Sequence, residues 1–522
     1  MNQKNLIIIN SSKKVDIDQK NVSYINIGDG IVNIRDSKKI ILSKFRSTNY
    51  LKYKNLLINE LSKKVKDAER KIPFISEFEI FNLRNDKNTN IDLILNILII
   101  KEIIKKQKFK KITLITDSKL TKNLFKKNNS KIKIIYLGSS FGIPRMVLPS
   151  IIKFYFKALF VIIFSKFFHK IKLSSNKFNE ACLSIYPIFF NKKENFFDDE
   201  KKIKFNFLLT DETHLNSSFL DIIKAINEPK EKNLIHIESI ISITSFVKAF
   251  FKSILYYLLT LRINLTLKVN NVDLSSFYKD YIFISLINRL KLNIYDDCII
   301  IALKKFNIKT FNLYLFEYNF GFFLINLIKK KTNNTKVIGY QHGIFSNQLL
   351  WLDLILKNKN RYNYLPHEVK SFNLHSFYDY KEKINSKKIK FILLKKKRAT
   401  LVDEYVKSEK KIYANKCLVL PGTHDANNIY NALKIKTSDK KNKFTFFLKF
   451  HPKKKLISKD TNNIKIITTI KNKKFANVLI SATSTLVYDF IESKKNFMVY
   501  DIDYKHNLIS DRLKKKVKFY YF

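Results

Sequence analysis

Short apolar runs alternate with stretches of helical spacing through the first third of the chain. NLIII (5–9), VSYINI (22–27) and KIILS (39–43) have the length and β-branched content of buried strands, whereas Leu51, Leu56, Leu57, Leu61 and Val65 mark one helical face within 50–69. FISEFEIFNL (74–83) reads as a further strand, IDLILNILIIKEIIKKQ (91–107) as a helix, and KITLITDS (111–118) and KIKIIYLG (131–138) as strands again. Strands that are apolar throughout, joined by helices, predict an α/β fold with parallel sheets covered on both faces.

Between 146 and 270 that rhythm is lost. Two long apolar and aromatic segments stand out there, IIKFYFKALFVIIFSKFF (151–168) and SFVKAFFKSILYYLLTL (245–261), and the region reads as an inserted helical element. From about 296 the α/β pattern returns with CIIIAL, a helix-like stretch at 318–331 and the strand KVIGY (336–340). After a lysine-rich polar stretch (381–399), a second series follows: CLVLPG (417–422), FTFFLKF (444–450), IKIITT (464–469), ANVLIS (476–481) and NFMVY (496–500). The expected organisation is an N-terminal α/β domain in two parts, 1–145 and 271–395, interrupted by the helical insertion 146–270 and followed by a C-terminal α/β domain, 396–522. A length of 522 residues already calls for more than one domain.

Charge changes this picture less than its size suggests. The formal net charge is +54, and nucleic-acid binding is the obvious reading. Only ten of the basic residues are arginine, however, against 88 lysines, and arginine is the residue that reads guanine edges and stacks on bases. The lysines accompany an excess of Asn, Ile, Phe and Tyr, the joint bias of A/T-rich coding, so no specific nucleic-acid partner is expected. A hydrophobic content of 46% excludes a disordered polycation.

The charge has a narrower use at the two apolar segments. Each carries a K-x-x-x-K pair on one helical face, Lys153/Lys157 and Lys248/Lys252. Two lysines near the middle of a membrane span cost roughly 5–7 kcal/mol, so helices lying in an anionic membrane surface are expected rather than spans. The competing reading is a pair of core helices with snorkelling lysines.

Three cysteines, far apart, supply neither a disulfide framework nor a cysteine-rich zinc site. The opening apolar run is too short for a signal-peptide core. The expected location is therefore the cytoplasm, peripheral on the inner face of the cytoplasmic membrane.

Glycine is the most restrictive count. Eight occur in the chain, and no G-x-G-x-x-G or P-loop can be built from their positions, which excludes glycine-fingerprint dehydrogenases, kinases and P-loop NTPases. A phosphate-binding loop must use other chemistry, and three motifs at the ends of expected strands offer it. Tyr340-Gln341-His342-Gly343 follows KVIG; Lys449-Phe450-His451-Pro452 follows FTFFL; Ser481-Ala482-Thr483-Ser484-Thr485 follows ANVLI and leads into a helical stretch.

Hydroxyls before a helix N-terminus can hold a phosphate, although the same residues serve as ordinary N-caps. Pro452 holds the His451 loop extended, and Lys449 adds positive charge. His342, with a pKa near neutrality, suits a general base or a satisfied structural histidine. Glu317 precedes a helix leading into the same strand and could orient His342 or bind an acceptor hydroxyl. Asp501-Ile502-Asp503 has the form of a metal-diphosphate D-x-D, but the histidine and hydroxyl loops already supply a phosphate site, so no metal and no cofactor are expected.

Taken in order, Glu317, Y-Q-H-G (340–343), L-P-G ending at Gly422, K-F-H-P (449–452) and S-A-T-S-T-L-V-Y-D (481–489) resemble bacterial surface-carbohydrate biosynthesis proteins of the capsule and O-antigen type. SIYPIFFNKKENFFDDEKKIKFNFL (184–208) is similar to their middle region. The order of motifs is also similar to that in CDP-glycerol glycerophosphotransferases and in Kdo and sialic acid transferases. Sialyltransferases carry an acidic D-D/E-G base motif in the first domain, and the nearest match here is Gly28-Asp29-Gly30.

The resemblance implies a GT-B-like fold, two Rossmann-like domains facing a cleft. It also implies a metal-independent glycosyltransferase that moves a sugar or sugar acid from a nucleotide donor, a CMP-sugar above others, to a surface polysaccharide or lipid-linked acceptor. His342 and Glu317 then fall on the acceptor side. Lys449, His451, Pro452, Ser481, Thr483, Ser484, Thr485 and Gly422 fall on the donor phosphate. Transfer of a polyol phosphate from a CDP-polyol is the alternative; a non-enzymatic nucleic-acid or membrane binder is the second.

Overall fold

A computed structural model gives the architecture. It describes residues 5–19, 22–34, 37–69, 89–129, 131–138, 147–169, 173, 178–184, 202–210, 219–227, 233–314, 316–332, 334–341, 346, 349–357, 359–394, 412–422, 425–437, 444–450, 460–470, 474–503 and 505–521. The strand expected at 74–83 lies outside them.

The first stretch forms β1 (Asn5–Asn10), β2 (Val15–Ile17), β3 (Val22–Asn26), β4 (Val32–Ile34), β5 (Lys38–Lys39), α1 (Leu42–Glu69), α2 (Thr89–Gln107), β6 (Ile112–Thr116), α3 (Lys119–Asn128) and β7 (Ile132–Tyr136). Its main sheet is parallel, in the order β5-β3-β1-β6-β7, with β2 and β4 paired separately. The expected strand KIILS shortens to β5, because α1 already begins at Leu42 and takes the apolar end of that run into the core.

The second stretch forms α4 (Val147–Phe168), β8 (Glu180–Ser184), β9 (Ile203–Asn206), α5 (Phe219–Asn227), β10 (Leu234–His236), α6 (Ile243–Thr260), β11 (Lys268–Val269), β12 (Val272–Asp273), α7 (Ser275–Leu292) and α8 (Cys298–Lys305). It continues through β13 (Thr310–Tyr314), α9 (Asn319–Lys331), β14 (Lys336–Tyr340), α10 (Leu350–Leu356), β15 (Glu368–Ser371), α11 (Leu374–Ile384) and β16 (Lys390–Leu393). Its parallel sheet runs β10-β9-β8-β13-β14-β15-β16.

Two expectations change here. The region 146–270 is not wholly helical, since it supplies β8, β9 and β10. These strands are only three to five residues long and almost wholly buried, so they show no alternation by which to recognise them. CIIIAL is helical, with Cys298, Ile299, Ala302 and Leu303 buried on one face.

The third stretch forms β17 (Ile412–Leu420), α12 (Ala426–Thr437), β18 (Thr445–Leu448), β19 (Ile464–Ile466), β20 (Lys474–Ser481), α13 (Leu486–Glu492), β21 (Met498–Asp501), α14 (Asp511–Lys514) and β22 (Phe519–Tyr521). Its parallel sheet has the order β19-β18-β17-β20-β21-β22.

The chain is thus an α/β protein with parallel sheets of five, seven and six strands flanked by helices, consistent with Rossmann-like domains. The two parts expected to form one N-terminal domain contribute to different sheets, 1–145 to the first and 271–395 to the second. They are joined through their core instead. One buried apolar cluster includes Leu6 and Leu114 of the first sheet and Phe311 and Val369 of the second. The third sheet has its own clusters, one around Leu418, Ile480 and Val499, the other around Val419, Leu433 and Leu448.

The third sheet is tied back to the first by the segment after β21. Asp503 accepts from the Ser43 N–H at 2.7 Å and pairs with Lys39 at 3.3 Å, and its carbonyl accepts from Arg46. His506 stacks on Tyr50 with ring centroids 3.3 Å apart, and its backbone N–H donates to Asp92 Oδ1 at 3.1 Å. The third sheet also meets the second: Glu492 on α13 accepts from Asn373 Nδ2 at 2.9 Å and from the Leu374 N–H at 3.2 Å.

Candidate active site

In an open parallel sheet, ligands gather outside the carboxyl ends of the strands, where the strand order reverses. In the six-stranded sheet the chain runs from β17 outward to β18 and β19, then returns to β20 on the other side. The reversal therefore lies between the ends of β17 and β20. Pro421 and Gly422 emerge from the first, Ser481 to Thr485 from the second.

Gly422 and the hydroxyl loop are in contact. A Cβ on Gly422 would collide with Thr483 Oγ1 and come within 3.1 Å of Asp425 Oδ1 and 3.3 Å of Ser481 Oγ. Glycine is needed here for close approach between two loops. Ser481 Oγ lies 2.9 Å from Thr483 Oγ1 and accepts from the Thr483 N–H at 3.1 Å. Ser484 N–H donates to the Ser481 carbonyl at 2.9 Å, and Ser484 Oγ accepts from the Leu486 N–H at 3.3 Å. Ser484 thus closes a local turn into the start of α13, whose N-cap is Thr485, and three loop amides are committed within the loop itself. The exposed Thr485 side chain is open to a ligand.

Lys449 stands at the end of neighbouring β18, half-buried, with its Nζ on the Thr468 carbonyl. Its backbone N–H donates to Val419 O at 3.1 Å, which fixes the start of the K-F-H-P loop beside β17. His451 and Pro452 lie outside the described residues.

Asp425 was not singled out by the sequence. It is fully buried just before α12; Oδ2 accepts from Tyr500 Oη at 2.8 Å, while Oδ1 has no hydrogen-bond partner. Burial pushes its carboxyl up to about 6, Ser481 and Tyr500 pull it down, and Asp29 pushes it up further. That last influence shows what faces it. The first turn of α12 carries Asn428, which donates to the Gly28 carbonyl at 3.0 Å and lies 3.5 Å from Asp29 Oδ1.

The Gly28-Asp29-Gly30 turn follows β3 at the carboxyl edge of the five-stranded sheet. Gly28 is packed so closely on Ser11 that a Cβ would meet its backbone N and O. In that sheet the order reverses between β1 and β6, and Asp117, after β6, accepts from the Ser12 N–H at 2.8 Å and Ser12 Oγ at 2.6 Å. The carboxyl edges of the first and third sheets therefore oppose one another across Asp29 and Asp425. The only local signals for this pairing were a G-D-G turn after one strand and a polar helix start after another.

The remaining candidates belong to the seven-stranded sheet. Its order reverses between β8 and β13, and Glu317 follows β13. Glu317 is buried and accepts from Tyr380 Oη of α11. His342 and Gly343 lie outside the described residues, but the two sides of their loop are placed. Gln341 is buried, its N–H on Lys370 O at 2.9 Å, and Ser346 is buried with a hydrogen bond to Tyr488 of α13. Ser346 is thus tied to the helix that the hydroxyl loop opens.

The D-I-D segment is hydrogen-bonded within the fold. Asp501 accepts from the Ile502 N–H and from Asn507 Nδ2, both at 2.9 Å, and Asp503 carries the clamp to α1. The fold is that of an α/β protein whose candidate residues gather at sheet switch points. Comparison with family models, curated proteins and solved structures finds no match for this chain.

Proposed function

We propose that this chain is a GT-B-like, metal-independent glycosyltransferase acting on a nucleotide-activated sugar or sugar acid, with a surface polysaccharide or lipid-linked acceptor. The observation that carries the reading is the meeting of Gly422, Ser481 and Thr483 at the switch point of the six-stranded sheet, opposite the Gly28-Asp29-Gly30 turn. Two opposed carboxyl edges are what a transferase needs to hold donor and acceptor together. The protein donors already on Asp501 and Asp503 favour phosphate binding by histidine, lysine and hydroxyl groups over a D-x-D metal.

In the proposed reaction the bond between the anomeric carbon and the donor phosphate oxygen breaks, and the acceptor oxygen bonds to that carbon. His342 takes the acceptor hydroxyl proton. Lys449, His451 and the Ser484–Thr485 hydroxyls stabilise the negative charge on the departing nucleotide. Glu317, held by Tyr380, positions the His342 loop.

The test is to incubate the protein with CMP-, UDP- and GDP-sugars and CDP-glycerol and to identify the nucleotide released and the product formed. His451→Ala is expected to abolish transfer with an unchanged melting temperature, and His342→Ala to lower kcat far more than it raises KM. Near-normal turnover of His451→Ala overturns the donor site. CMP release from CDP-glycerol with a glycerophosphate product replaces the sugar reading by phosphotransfer.

A further inference from the structure

The structure changes what the two apolar segments can do. Helices α4 and α6 lie side by side: Tyr155 Oη is 3.0 Å from the Ala249 carbonyl and 2.7 Å from Ser253 Oγ, and its ring meets Phe246 and Phe250 at 5.6 and 5.3 Å. Their inner faces are built into the fold, with Ile151, Ala158, Val161 and Ile162 of α4 and Ala249 and Ser253 of α6 buried. Their outer faces are bare. Ile152, Phe156, Phe160 and Phe167 repeat at helical spacing along α4, as do Val247, Phe251, Leu255 and Leu258 along α6, and all are exposed. Phe156 is 78% exposed, Phe167 79% and Phe251 65%. Leu220, 76% exposed at the start of α5, extends the surface, since its neighbour Phe219 lies 5.3 Å from the Phe160 ring.

Such a continuous apolar surface marks a partner site. Its charge identifies the partner. Neither α4 nor α6 contains an acidic residue, and Lys153, Lys157 and Lys166 are exposed on α4 with Arg262 just beyond α6. Lys248 and Lys252 pair with Asp297 and Asp296, so the K-x-x-x-K pair of α6 holds that helix on the fold. A second copy docked through the same face would bring lysine against lysine. A single span is also disfavoured, although α4 is long and apolar enough for one, because one side of α4 is already packed on α5, α6 and α7.

We infer that the outer faces of α4 and α6 form one monotopic membrane-docking surface that inserts its aromatic and aliphatic side chains into an anionic bilayer, with Lys153, Lys157 and Lys166 at the headgroups. Phenylalanine and leucine reach the acyl boundary while lysine stems lie along it. This inference is independent of the proposed transferase activity.

Full-length protein is sedimented with vesicles of phosphatidylcholine and phosphatidylglycerol in about a two-to-one ratio, and with phosphatidylcholine alone. The expected result is binding that favours the anionic vesicles, reduced on the order of 10- to 100-fold in Phe156→Glu/Phe251→Glu at an unchanged melting temperature. Lys153→Glu/Lys166→Glu is expected to lose mainly the preference for anionic lipid. If the glutamates unfold the chain, Ile152→Ser/Leu255→Ser replaces them. Equal binding by the aromatic variant, resistance of the wild type to alkaline carbonate extraction, or loss of a dimer in place of vesicle binding each overturns the proposal.

Discussion

Asn428 Nδ2 donates to the Gly28 carbonyl oxygen at 3.0 Å, across 400 positions of sequence. The bond joins the first turn of α12 to the G-D-G turn after β3, and so sets the carboxyl edges of the five- and six-stranded sheets against each other. Asn428→Ala is expected to lower stability by about 1 kcal/mol, the usual worth of one such bond. The loss in kcat/KM is expected to be larger, because the edge opposite the hydroxyl loop loses a fixed point. Denaturant melts and steady-state kinetics on the same variant check both.

Gly422 leaves no room for a side chain. Gly422→Ala places a methyl group against Thr483 Oγ1 and close to Asp425 and Ser481. An overpacking cost of about 1–3 kcal/mol is expected. Nucleotide-induced thermal stabilisation should disappear in the variant, since the displaced hydroxyl loop is the one expected to meet phosphate. A thermal-shift screen with CMP, UDP and GDP measures it.

Asp425 makes stability depend on pH in a defined direction. Burial raises its folded-state pKa to about 6 from an ordinary 3.8. Between those values the folded chain holds a proton that the unfolded chain releases. The group's contribution to stability therefore grows as pH falls from about 6 towards 3.8, and its penalty is fully present above about 6. Asp425→Asn removes this titration. The difference in unfolding free energy, wild type minus variant, should rise by on the order of 2–3 kcal/mol on acidification through that window, read from denaturation curves at several pH values.

Asp503 clamps the end of the six-stranded sheet to the start of α1. Asp503→Ala removes the acceptor for the buried Ser43 N–H and the partner of Lys39. An unmade buried hydrogen bond costs about 1–3 kcal/mol. The variant should melt lower, and limited proteolysis should cut earlier between the first and third sheets. Calcium or magnesium should leave wild-type stability unchanged if the D-I-D segment serves only this clamp.

Much of the secondary structure was legible because parallel strands buried on both faces are plain apolar runs. NLIII, KITLIT, KVIGY, CLVL and ANVLIS are strands in the structure, and the hydroxyl and L-P-G motifs sit at strand ends as their order indicated. Shorter strands escaped for the opposite reason. LIH (234–236) and IKFN (203–206) are too brief to show a period, and only their neighbours in the sheet make them strands.

Asp501-x-Asp503 has the spacing of a metal-diphosphate motif, and local spacing carries no information about its partners Ser43, Lys39 and Asn507. Asp425 and Asn428 drew no attention because nothing in T-H-D-A-N-N marks one residue as buried and another as reaching a different sheet.

By itself the sequence determined an α/β chain of parallel strands, poor in glycine loops, with hydroxyl, lysine and histidine groups after its strands. Those properties follow from periodicity and residue type, which are local. Only the tertiary structure decided that the described strands assemble into three large parallel sheets beside two small two-stranded ones, that Gly422 lies against Thr483, that Asn428 meets Gly28, and that two apolar helices share one exposed face. Each of these depends on contacts between distant segments, made when the chain buries its apolar surface, and no pattern within a short window specifies them.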